Sequence, residues 1–304
     1  MKIVVTGSSG LIGSALVRVL NSEGEGHAHE VLRLVRREAS APDEISWDPA
    51  AGRGPDVERL RGVDAAINLA GAGLGDHRWS DGYKKEILDS RIASTRLLTE
   101  ALTSLEPKPA VLLSGSAIGF YGDTGDRFVD EDAPVATDFA ATVAREWEEA
   151  AVAASDAGIR TVFLRTGIVL STKGGALGKV LPLFKAGVGG RLGSGRQYIS
   201  WIARPDHIAA MRFLLDADEI NGPVNLTAPN PVTNSEYTKA IAAALHRPAL
   251  FPAPTLALKA VLGEFAGNVV GGQRVLPKRL VDAGFEFGYS DIGPALRALV
   301  EANA

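Results

Sequence analysis

The 304-residue chain contains no cysteine, which excludes disulfide bonds, thiolate nucleophiles and cysteine metal ligands. The absence of cysteine is typical of a reducing compartment. The chain also lacks a large excess of positive charge. Its net charge of −4 and pI near 5.8 give no sign of the basic surface that binds nucleic acid or an anionic membrane. No apolar run approaches the roughly 20 residues that span a bilayer. We therefore expect a cytoplasmic protein with a small-molecule partner and no nucleic-acid or membrane partner.

A glycine-rich turn follows the first apolar segment and precedes a helical pattern. It consists of Gly7, Ser8, Ser9, Gly10, Leu11, Ile12 and Gly13. Between a strand and a helix, Gly7 makes the tight turn, Gly10 lets backbone approach a pyrophosphate, and Gly13 lets the helix pack closely on the strand. The helix start offers unpaired N–H groups to phosphates. The pattern predicts dinucleotide binding, although an ordinary tight turn can carry the same glycines.

Two arginines stand at the end of the second predicted strand. NAD-binding folds of this kind carry Asp or Glu there, about 20 residues past the glycines, to hold the ribose. Here Arg36 and Arg37 occupy the position. Because a guanidinium fork matches a 2′-phosphate, the pair favours NADP over NAD. The alternative is that one or both arginines only cap a strand end in solvent.

Apolar strands alternate with helical patterns in the first half of the chain. This alternation predicts an α/β fold, a Rossmann-type doubly wound parallel sheet. We expect an NADP-binding domain over 1–170 and a smaller substrate lobe over 171–304, with some segments of the lobe returning to the main sheet. Residues 39–59 are typical of a polar connection. The predicted strands are 2–6, 30–35, 64–69, 110–115, 160–165 and 223–227, and the predicted helices are 11–22, 83–104, 138–157 and a short one near 255–266.

Further motifs occur in the order found in one large superfamily. They are Asp64–Gly71, Ser114–Asp123, Leu164–Leu170 and Gln197–Asp206. With the glycine turn, they resemble the extended short-chain dehydrogenase/reductase superfamily, in its NAD(P)-dependent epimerase/dehydratase-like group. The C-terminal stretches Gly272–Leu280 and Gly284–Tyr289 resemble an atypical branch of epimerase-like oxidoreductases.

The resemblance implies roles for individual residues. Ser116 matches the superfamily's catalytic serine, which holds the reacting substrate oxygen; read alone, it is a strand-end hydroxyl that could simply satisfy backbone. Asn68, Leu69, Ala70 and Gly71 would lie under the adenosine ribose and bridging phosphates. The segment that passes the nicotinamide corresponds to Arg165, Gly167 and Ile168. The remaining residues implied at the cofactor are Ser114 and Gly115.

The sequence departs from the superfamily at its proton relay. That relay uses a Tyr followed four residues later by a Lys, which lowers the tyrosine pKa. Phe139 and Val143 stand at these positions, and neither can transfer a proton. Tyr121, five residues beyond Ser116, is the candidate replacement, although it could also be a buried aromatic whose hydroxyl is already bonded.

Three cations and two glutamates near the predicted cleft have open roles. Lys84 or Lys85 could reach the cofactor, or both could be solvated at a helix start. Arg91 either faces the cofactor cleft or pairs with an acid along its helix. The two glutamates beside Trp147, Glu146 and Glu148, are most simply a charged helix face.

A glycine-rich segment, 187–201, is the candidate substrate loop. Arg191, Arg196 and Gln197 supply anion and hydrogen-bond contacts, and Trp201 could stack on a ring or pack in the core. Arg204, Asp206 and His207 are expected to tie this loop to the sheet, with His207 a less favoured general base. His27 and His29 lack further ligands, so no metal site is predicted.

Two functions remain open from the sequence. One is an NADP-dependent oxidoreductase or epimerase acting on a small carbonyl or hydroxyl compound, including sugar derivatives. The other is a non-catalytic NADP-binding sensor or regulatory protein, which the missing relay favours. The sequence leaves the substrate and the oligomeric state open, with a homodimer among the alternatives.

Overall fold

The computed structural model describes residues 1–22 and 29–302, so His27 lies outside the described residues. The strands are β1 (Lys2–Thr6), β2 (Glu30–Val35), β3 (Glu44–Ser46), β4 (Ala65–Asn68), β5 (Val111–Ala117), β6 (Phe128–Val129), β7 (Arg160–Thr166), β8 (Ile168–Leu170), β9 (Tyr198–Ile199), β10 (Trp201–Ala203), β11 (Gly222–Leu226), β12 (Val232–Thr233) and β13 (Arg274–Val275). The helices are α1 (Gly13–Ser22), α2 (Asp81–Thr103), α3 (Phe139–Glu149), α4 (Val152–Asp156), α5 (Gly175–Lys185), α6 (Arg204–Asp216), α7 (Asn234–Leu245), α8 (Thr255–Leu262), α9 (Ala266–Val270), α10 (Lys278–Asp282) and α11 (Ile292–Glu301).

Seven strands form one parallel sheet in the order β11-β7-β5-β4-β1-β2-β3. The predicted Rossmann-type fold is therefore confirmed. The strand order reverses between β1 and β4, which is where open α/β sheets bind ligands, outside the carboxyl ends of the strands. The register pairs Thr6 with Asn68 and Ser116 with Arg165, so these polar side chains reach the same sheet edge.

Helices cover both faces of the sheet because its central strands are apolar on both sides. On one face, Leu16 of α1 and Met211 of α6 pack against the sheet in one buried cluster. On the other face, Leu98 and Leu102 of α2 pack with Ala154 of α4 in a second cluster. The sheet is thus a rigid platform for the loops that follow its strands.

A third apolar cluster lies in the C-terminal part of the chain. It joins α5, α7 and α11 around Trp201, Leu181 and Leu296. Short strand pairs, β8 with β10, β9 with β12 and β6 with β13, connect this region to the loops of the main sheet. β11 belongs to the main sheet although it lies beyond residue 170; the domain division at 170 stays a prediction.

Several elements differ from the sequence prediction. β3 lies inside the stretch 39–59, which was predicted to be a polar connection, because β2 extends the sheet by pairing with Glu44–Ser46. The helix predicted over 138–157 is divided into α3 and α4, and the short one near 255–266 into α8 and α9. Among the described residues, no helix combines the length and hydropathy required to cross a membrane.

Candidate nucleotide and active site

The glycine turn has the geometry that its sequence predicts. Gly7 has a φ of +64°, and a Cβ there would lie 2.6 Å from the Leu69 carbonyl oxygen. A Cβ on Gly13 would lie 2.3 Å from the Gly7 carbonyl oxygen, so only glycine lets α1 start this close to β1. In the described structure, the N–H groups of Leu11 and Ile12 have no backbone acceptor. These N–H groups and the dipole of α1 suit a phosphate.

A buried chain of hydrogen bonds lies under this turn. The Thr6 hydroxyl donates to Asn68 Oδ1 at 2.7 Å and accepts from the N–H groups of Leu69 and Ala70. Asn68 Nδ2 and Trp147 Nε1 both donate to the Thr95 hydroxyl, at 2.8 and 3.0 Å. These hydrogen bonds fix the predicted cofactor segment 68–71 against β1, α2 and α3.

Arg36 and Arg37 have different surroundings. Arg37 forks onto the buried carboxylate of Glu44, with Nη1 to Oε2 at 2.8 Å and Nη2 to Oε1 at 2.5 Å. The Arg37 bond is the main reason that the pKa of Glu44 is lowered to about 2. The exposed side chain of Arg36 has no ion-pair partner among the described residues. Arg36 is thus the arginine whose guanidinium is free for a 2′-phosphate, whereas Arg37 joins β2 to β3.

Arg91 is a buried cation facing the same cleft. Its guanidinium lies 4.8 Å from the Trp147 ring centroid, and Nη1 donates to its own helix at the Ile87 carbonyl. No carboxylate in the described part of the chain pairs with it, since the neighbouring Asp89 bonds Lys85 instead. Burial lowers the pKa of Arg91 to about 10. A Cβ on Gly71 would be 3.0 Å from the Arg91 side chain, so the cation lies directly behind the predicted phosphate segment.

The Ser116 hydroxyl is held by a glutamate on a neighbouring helix. Ser116 Oγ donates to Glu148 Oε1 at 2.6 Å. Arg165 donates to both oxygens of the same carboxylate, from Nε at 2.8 Å and from Nη2 at 3.0 Å. Only 12% of the Glu148 side chain is exposed. The serine, the carboxylate and the guanidinium thus form one fixed unit at the carboxyl ends of β5 and β7.

This unit changes two expectations. Glu148 is not part of a merely charged helix face but the partner of Ser116. The Arg165 side chain is directed into the protein rather than to a nicotinamide, because it also donates to Tyr121 and lies 3.5 Å from the Phe120 ring centroid. In the sequence, Trp147 indicates that this part of α3 faces the protein interior. The pairing of Glu148 with Ser116 was not predictable, because β5 and α3 are remote from each other in the chain.

Tyr121 has the surroundings of the second alternative, a buried aromatic whose hydroxyl is already bonded. Its hydroxyl donates to Asn225 Oδ1 at 2.7 Å and accepts from Arg165 Nη1 at 2.9 Å. Burial, the largest cause, raises the pKa of Tyr121 to about 12. The bonds of Asn225 to Glu131 and to the Leu276 carbonyl then tie this tyrosine to β11 and the C-terminal region.

The positions of the missing relay lie in an apolar cluster. Val143 is buried with Trp79, Tyr83 and Ile87, and Phe139 packs edge-on against Trp79 with ring centroids 5.0 Å apart. The candidate lysines are committed elsewhere. Lys84 pairs with Glu264 at 2.8 Å and Lys85 with Asp89. Neither lysine bonds a group of the Ser116 unit.

Four residues were predicted to bind substrate from the segment 187–201. Arg191 and Arg196 are exposed, Arg191 donates to the Ser194 carbonyl, and Gln197 donates to the Leu192 carbonyl at 2.9 Å. Trp201 is fully buried, and its Nε1 donates to the Asn230 carbonyl. We leave Trp201 out of the site, since neither face of its ring is open to a ligand.

Several other predicted site residues have structural surroundings. The Ser114 hydroxyl is buried without a hydrogen-bond partner in the described structure. Gly115 is fixed by packing, because a Cβ would lie 2.4 Å from the Trp147 ring, and a Cβ on Gly167 would lie 2.7 Å from the Ser200 carbonyl oxygen. Ile168 is half-buried and pairs with Trp201 across β8 and β10.

The polar residues after β10 support the fold. Asp206 accepts from the backbone N–H groups of Gly288 and Tyr289. His207 is fully buried with Nε2 3.1 Å from the Thr166 hydroxyl, and burial lowers its pKa to about 4. Arg204 is only partly buried, and burial, reinforced by Arg18, lowers its pKa. His207 is not placed to act as a general base. In the described residues, no group of three or more His, Asp and Glu side chains could hold a metal ion.

The fold and this site define a Rossmann-type protein with a turn suited to a dinucleotide. A model of the NAD dependent epimerase/dehydratase family matches residues 3–227, and a domain of unknown function matches residues 253–299. An epimerase family protein of Mycobacterium bovis is 44% identical over 295 residues, which cover 97% of this chain and 96% of the relative. The chain belongs to the NAD dependent epimerase/dehydratase family.

Solved structures agree with this membership. The crystal structure of the human epimerase family protein SDR39U1 (isoform 2) with NADPH matches with a TM-score of 0.90 and 35% identity, covering 99% of each chain. The NADP predicted from the arginines agrees with the NADPH bound to that protein. UDP-glucuronic acid 4-epimerase from Bacillus cereus, in complex with UDP-glucuronic acid and NAD, has a TM-score of 0.76 at 17% identity over 99% of this chain and 100% of that chain. The last match shows the shared fold alone.

Proposed function

We propose that the chain is an NADP-dependent oxidoreductase or epimerase that acts on a small hydroxyl or carbonyl compound, including sugar derivatives. The observation that carries the proposal is the Ser116 hydroxyl, fixed by Glu148 at the same sheet edge as the glycine turn. A hydroxyl that only satisfies the backbone does not require a carboxylate partner. The family membership supports the broader statement of an NAD(P)-dependent epimerase-like protein.

The residues present fit an NADP cofactor. The free N–H groups of the glycine turn and the buried, unpaired Arg91 would hold its pyrophosphate, and Arg36 its 2′-phosphate. A guanidinium buried without a carboxylate partner is costly unless an anion arrives, so Arg91 itself indicates a bound anion. When bound, the cofactor supplies or accepts the hydride.

The bonding of Ser116 suggests how the chain replaces the missing relay. Because the Ser116 hydroxyl donates its hydrogen bond to Glu148, the lone pairs of the serine oxygen are available to accept a hydrogen bond from a substrate hydroxyl. As that substrate is oxidised, its hydroxyl proton passes to Ser116 Oγ while the serine proton passes to Glu148 Oε1. In the direction of reduction, Glu148 would return the proton to Ser116, and Ser116 would return its proton to the substrate oxygen. Arg165 keeps the carboxylate oriented during this exchange.

A second function is favoured by one observation. Phe139 and Val143 are packed into the cluster around Trp79, so the usual tyrosine and lysine have been replaced by a stable apolar core. A chain of this kind could bind NADP and report its presence to a partner without catalysis. Both proposed functions use the same cofactor site, but only the enzyme requires Ser116 and Glu148.

The cofactor half of the proposal is tested by titrating the purified chain with NADPH and NADH and following nicotinamide fluorescence. We expect tighter binding of NADPH. Equal affinity for the two nucleotides would contradict the NADP assignment, and no affinity for either would end both proposed functions.

The catalytic half is tested by screening alcohols with NADP and carbonyl compounds with NADPH. Ser116→Ala and Glu148→Gln are each expected to lower turnover by roughly 10²–10⁴, the usual contribution of acid–base groups. Ser155→Ala, which removes an exposed hydroxyl on α4, is the matched control and keeps full activity. NADPH binding with no turnover in the screen would favour the sensor. Turnover that is indifferent to Ser116→Ala would remove Ser116 from the mechanism.

The cytoplasmic location and the homodimer remain predictions. Gel filtration of the purified chain at several concentrations tests the homodimer. The identity of the substrate follows from the screen.

A further inference from the structure

The acidic residues of this chain are unevenly distributed. No Asp or Glu occurs from Ala157 to Pro205 or from Tyr237 to Gly263, although the whole chain has a net charge of −4. These two stretches hold α5, the segment 187–201, most of α7, and α8. α5, the segment 187–201 and α8 therefore contribute cations to the surface but no acidic side chain of their own, a feature that the net charge conceals.

The same surface carries the most exposed large apolar side chains of the described structure. They belong to a set that we call the apolar ridge, which consists of Leu183, Val188, Leu250, Phe251, Leu256 and Val261. Exposure reaches 82% at Leu256, 73% at Val261 and 72% at Leu250. α8 has no buried residue, although five of its eight residues are Leu, Val or Thr, whose side chains carry apolar groups.

Backbone hydrogen bonds hold the parts of the ridge together. Val188 donates to the Leu183 carbonyl at 3.0 Å, and Phe251 donates to the Gly189 carbonyl at 3.4 Å. Ala253 then donates to the Arg191 carbonyl at 2.9 Å, two residues before α8 begins. The end of α5, the segment 249–253 and α8 are therefore neighbours, and their apolar side chains belong to one surface.

Cations without acidic partners lie within the ridge. Lys185 and Lys259 are exposed and form no ion pair with a described residue. Two acids next to α8 and α5 are already paired, Glu264 with Lys84 and Asp76 with Lys179. Lys185 and Lys259 are therefore available to an external anion.

We propose that the apolar ridge docks the protein peripherally on an anionic lipid bilayer. Exposed aliphatic and aromatic side chains enter the headgroup–acyl boundary, while the flanking lysines contact lipid phosphates. Lysine is depleted from protein–protein interfaces, which makes a protein partner a poorer match to this surface. A second copy of the chain would bring lysines against lysines. The proposal does not depend on NADP binding, since no residue of the ridge belongs to the nucleotide site.

The experiment is sedimentation of the full chain with vesicles of phosphatidylcholine alone and of phosphatidylcholine mixed with phosphatidylglycerol. We expect binding to the mixed vesicles, weaker binding to the neutral ones, and release by salt. The double variant Lys185→Gln/Lys259→Gln should lower partitioning roughly 25-fold, since each basic residue near an anionic surface contributes about fivefold. Leu256→Ser should lower it about tenfold by removing an inserted side chain.

Matched controls separate this surface from general effects. Arg127→Gln and Val281→Ser change an exposed cation and an exposed apolar side chain outside the ridge, and both should bind vesicles like the parent chain. NADPH titration of every variant checks that the fold is intact. Absence of binding to the mixed vesicles would overturn the proposal, and so would equal binding by the ridge and control variants. Dimers that disappear in Leu256→Ser would assign the ridge to self-association instead.

Discussion

Arg36 and Arg37 show how far the roles of adjacent residues can differ. Arg37 is occupied by Glu44, whereas Arg36 is exposed and has no ion-pair partner in the described structure. A 2′-phosphate can therefore recruit Arg36 without breaking an existing bond. The specificity for NADP is expected to depend mainly on this one side chain.

Arg36→Ala should weaken NADPH binding about tenfold and leave NADH binding almost unchanged, because only NADPH carries the 2′-phosphate. Arg37→Ala should instead lower the stability of the β2–β3 edge, since it leaves the buried Glu44 carboxylate with fewer donors. Fluorescence titration with both nucleotides and urea unfolding of both variants distinguish these effects. Equal losses of NADH and NADPH affinity in Arg36→Ala would contradict the assignment.

His207 gives a stability prediction that depends on pH. Burial lowers its pKa to about 4, so the folded chain holds the neutral ring while an unfolded chain binds a proton near pH 6.5. The stability provided by the neutral ring is complete above pH 6.5 and decreases as the pH falls towards 4. Urea midpoints should therefore fall less between pH 7 and pH 5 in His207→Gln than in the parent. His246→Asn, at the exposed C-cap of α7, is the control and should keep the parent's pH dependence.

Single residues were predictable from sequence where backbone geometry decides their role. The roles of Gly7 and Gly13 follow from sterics between neighbouring segments, and both are confirmed by the close approach of Leu69 and Gly7. The partners of Ser116 and Tyr121 were not predictable. Their hydrogen bonds reach across 32 and 104 residues, and no local pattern encodes such pairs.

At the scale of elements, the packing of α1 on β1 depends on the absence of a side chain at Gly13. Gly13→Ala would place a methyl group 2.3 Å from the Gly7 carbonyl oxygen, so the helix must move away from the turn. We expect a loss of about 1–3 kcal/mol in the free energy of unfolding, together with weaker NADPH binding. Chemical denaturation and fluorescence titration measure the two effects.

The control for this prediction is a glycine in another helix. Gly267→Ala in α9 meets no atom within 4 Å and should increase the free energy of unfolding by about 0.4–1 kcal/mol. If both alanines behaved alike, close packing would not be the reason for glycine at position 13.

The strands of the first half were predicted to within a few residues, whereas most C-terminal elements were missed, including the amphipathic helix α11. β1 and β2 have the predicted bounds, because most of their residues are Val, Ile or Leu. β3 was missed since it has only three residues, Glu44–Ser46, and its Glu44 looks solvent-exposed in sequence. Its pairing with Arg37 and Arg33 and the hydrogen bonds from Ser40 make a buried glutamate stable there.

At the scale of the whole molecule, the bonds through Thr95 connect both halves of the site. Its hydroxyl accepts from Asn68 beneath the cofactor segment and from Trp147, the residue before Glu148. Thr95→Val keeps the shape of the side chain but leaves two buried donors without an acceptor. We expect a loss of roughly 2–5 kcal/mol in the free energy of unfolding, measured by urea denaturation.

Thr103→Val on the same helix is the matched control, because the Thr103 hydroxyl bonds only its own helix near the surface. It should change the free energy of unfolding by less than about 0.5 kcal/mol. A similar cost at both positions would show that helix propensity, rather than the buried bonds, determines the effect.

The orientation of Ser116 requires three separate parts of the chain: the serine on β5, Glu148 on α3 and Arg165 on β7. None of the three can orient the hydroxyl while α3 is detached from the sheet. The Ser116 hydroxyl is therefore oriented only when α3 is packed on the sheet. A thermally loosened molecule would therefore lose the fixed orientation of the Ser116 hydroxyl as soon as that helix lifts from the sheet.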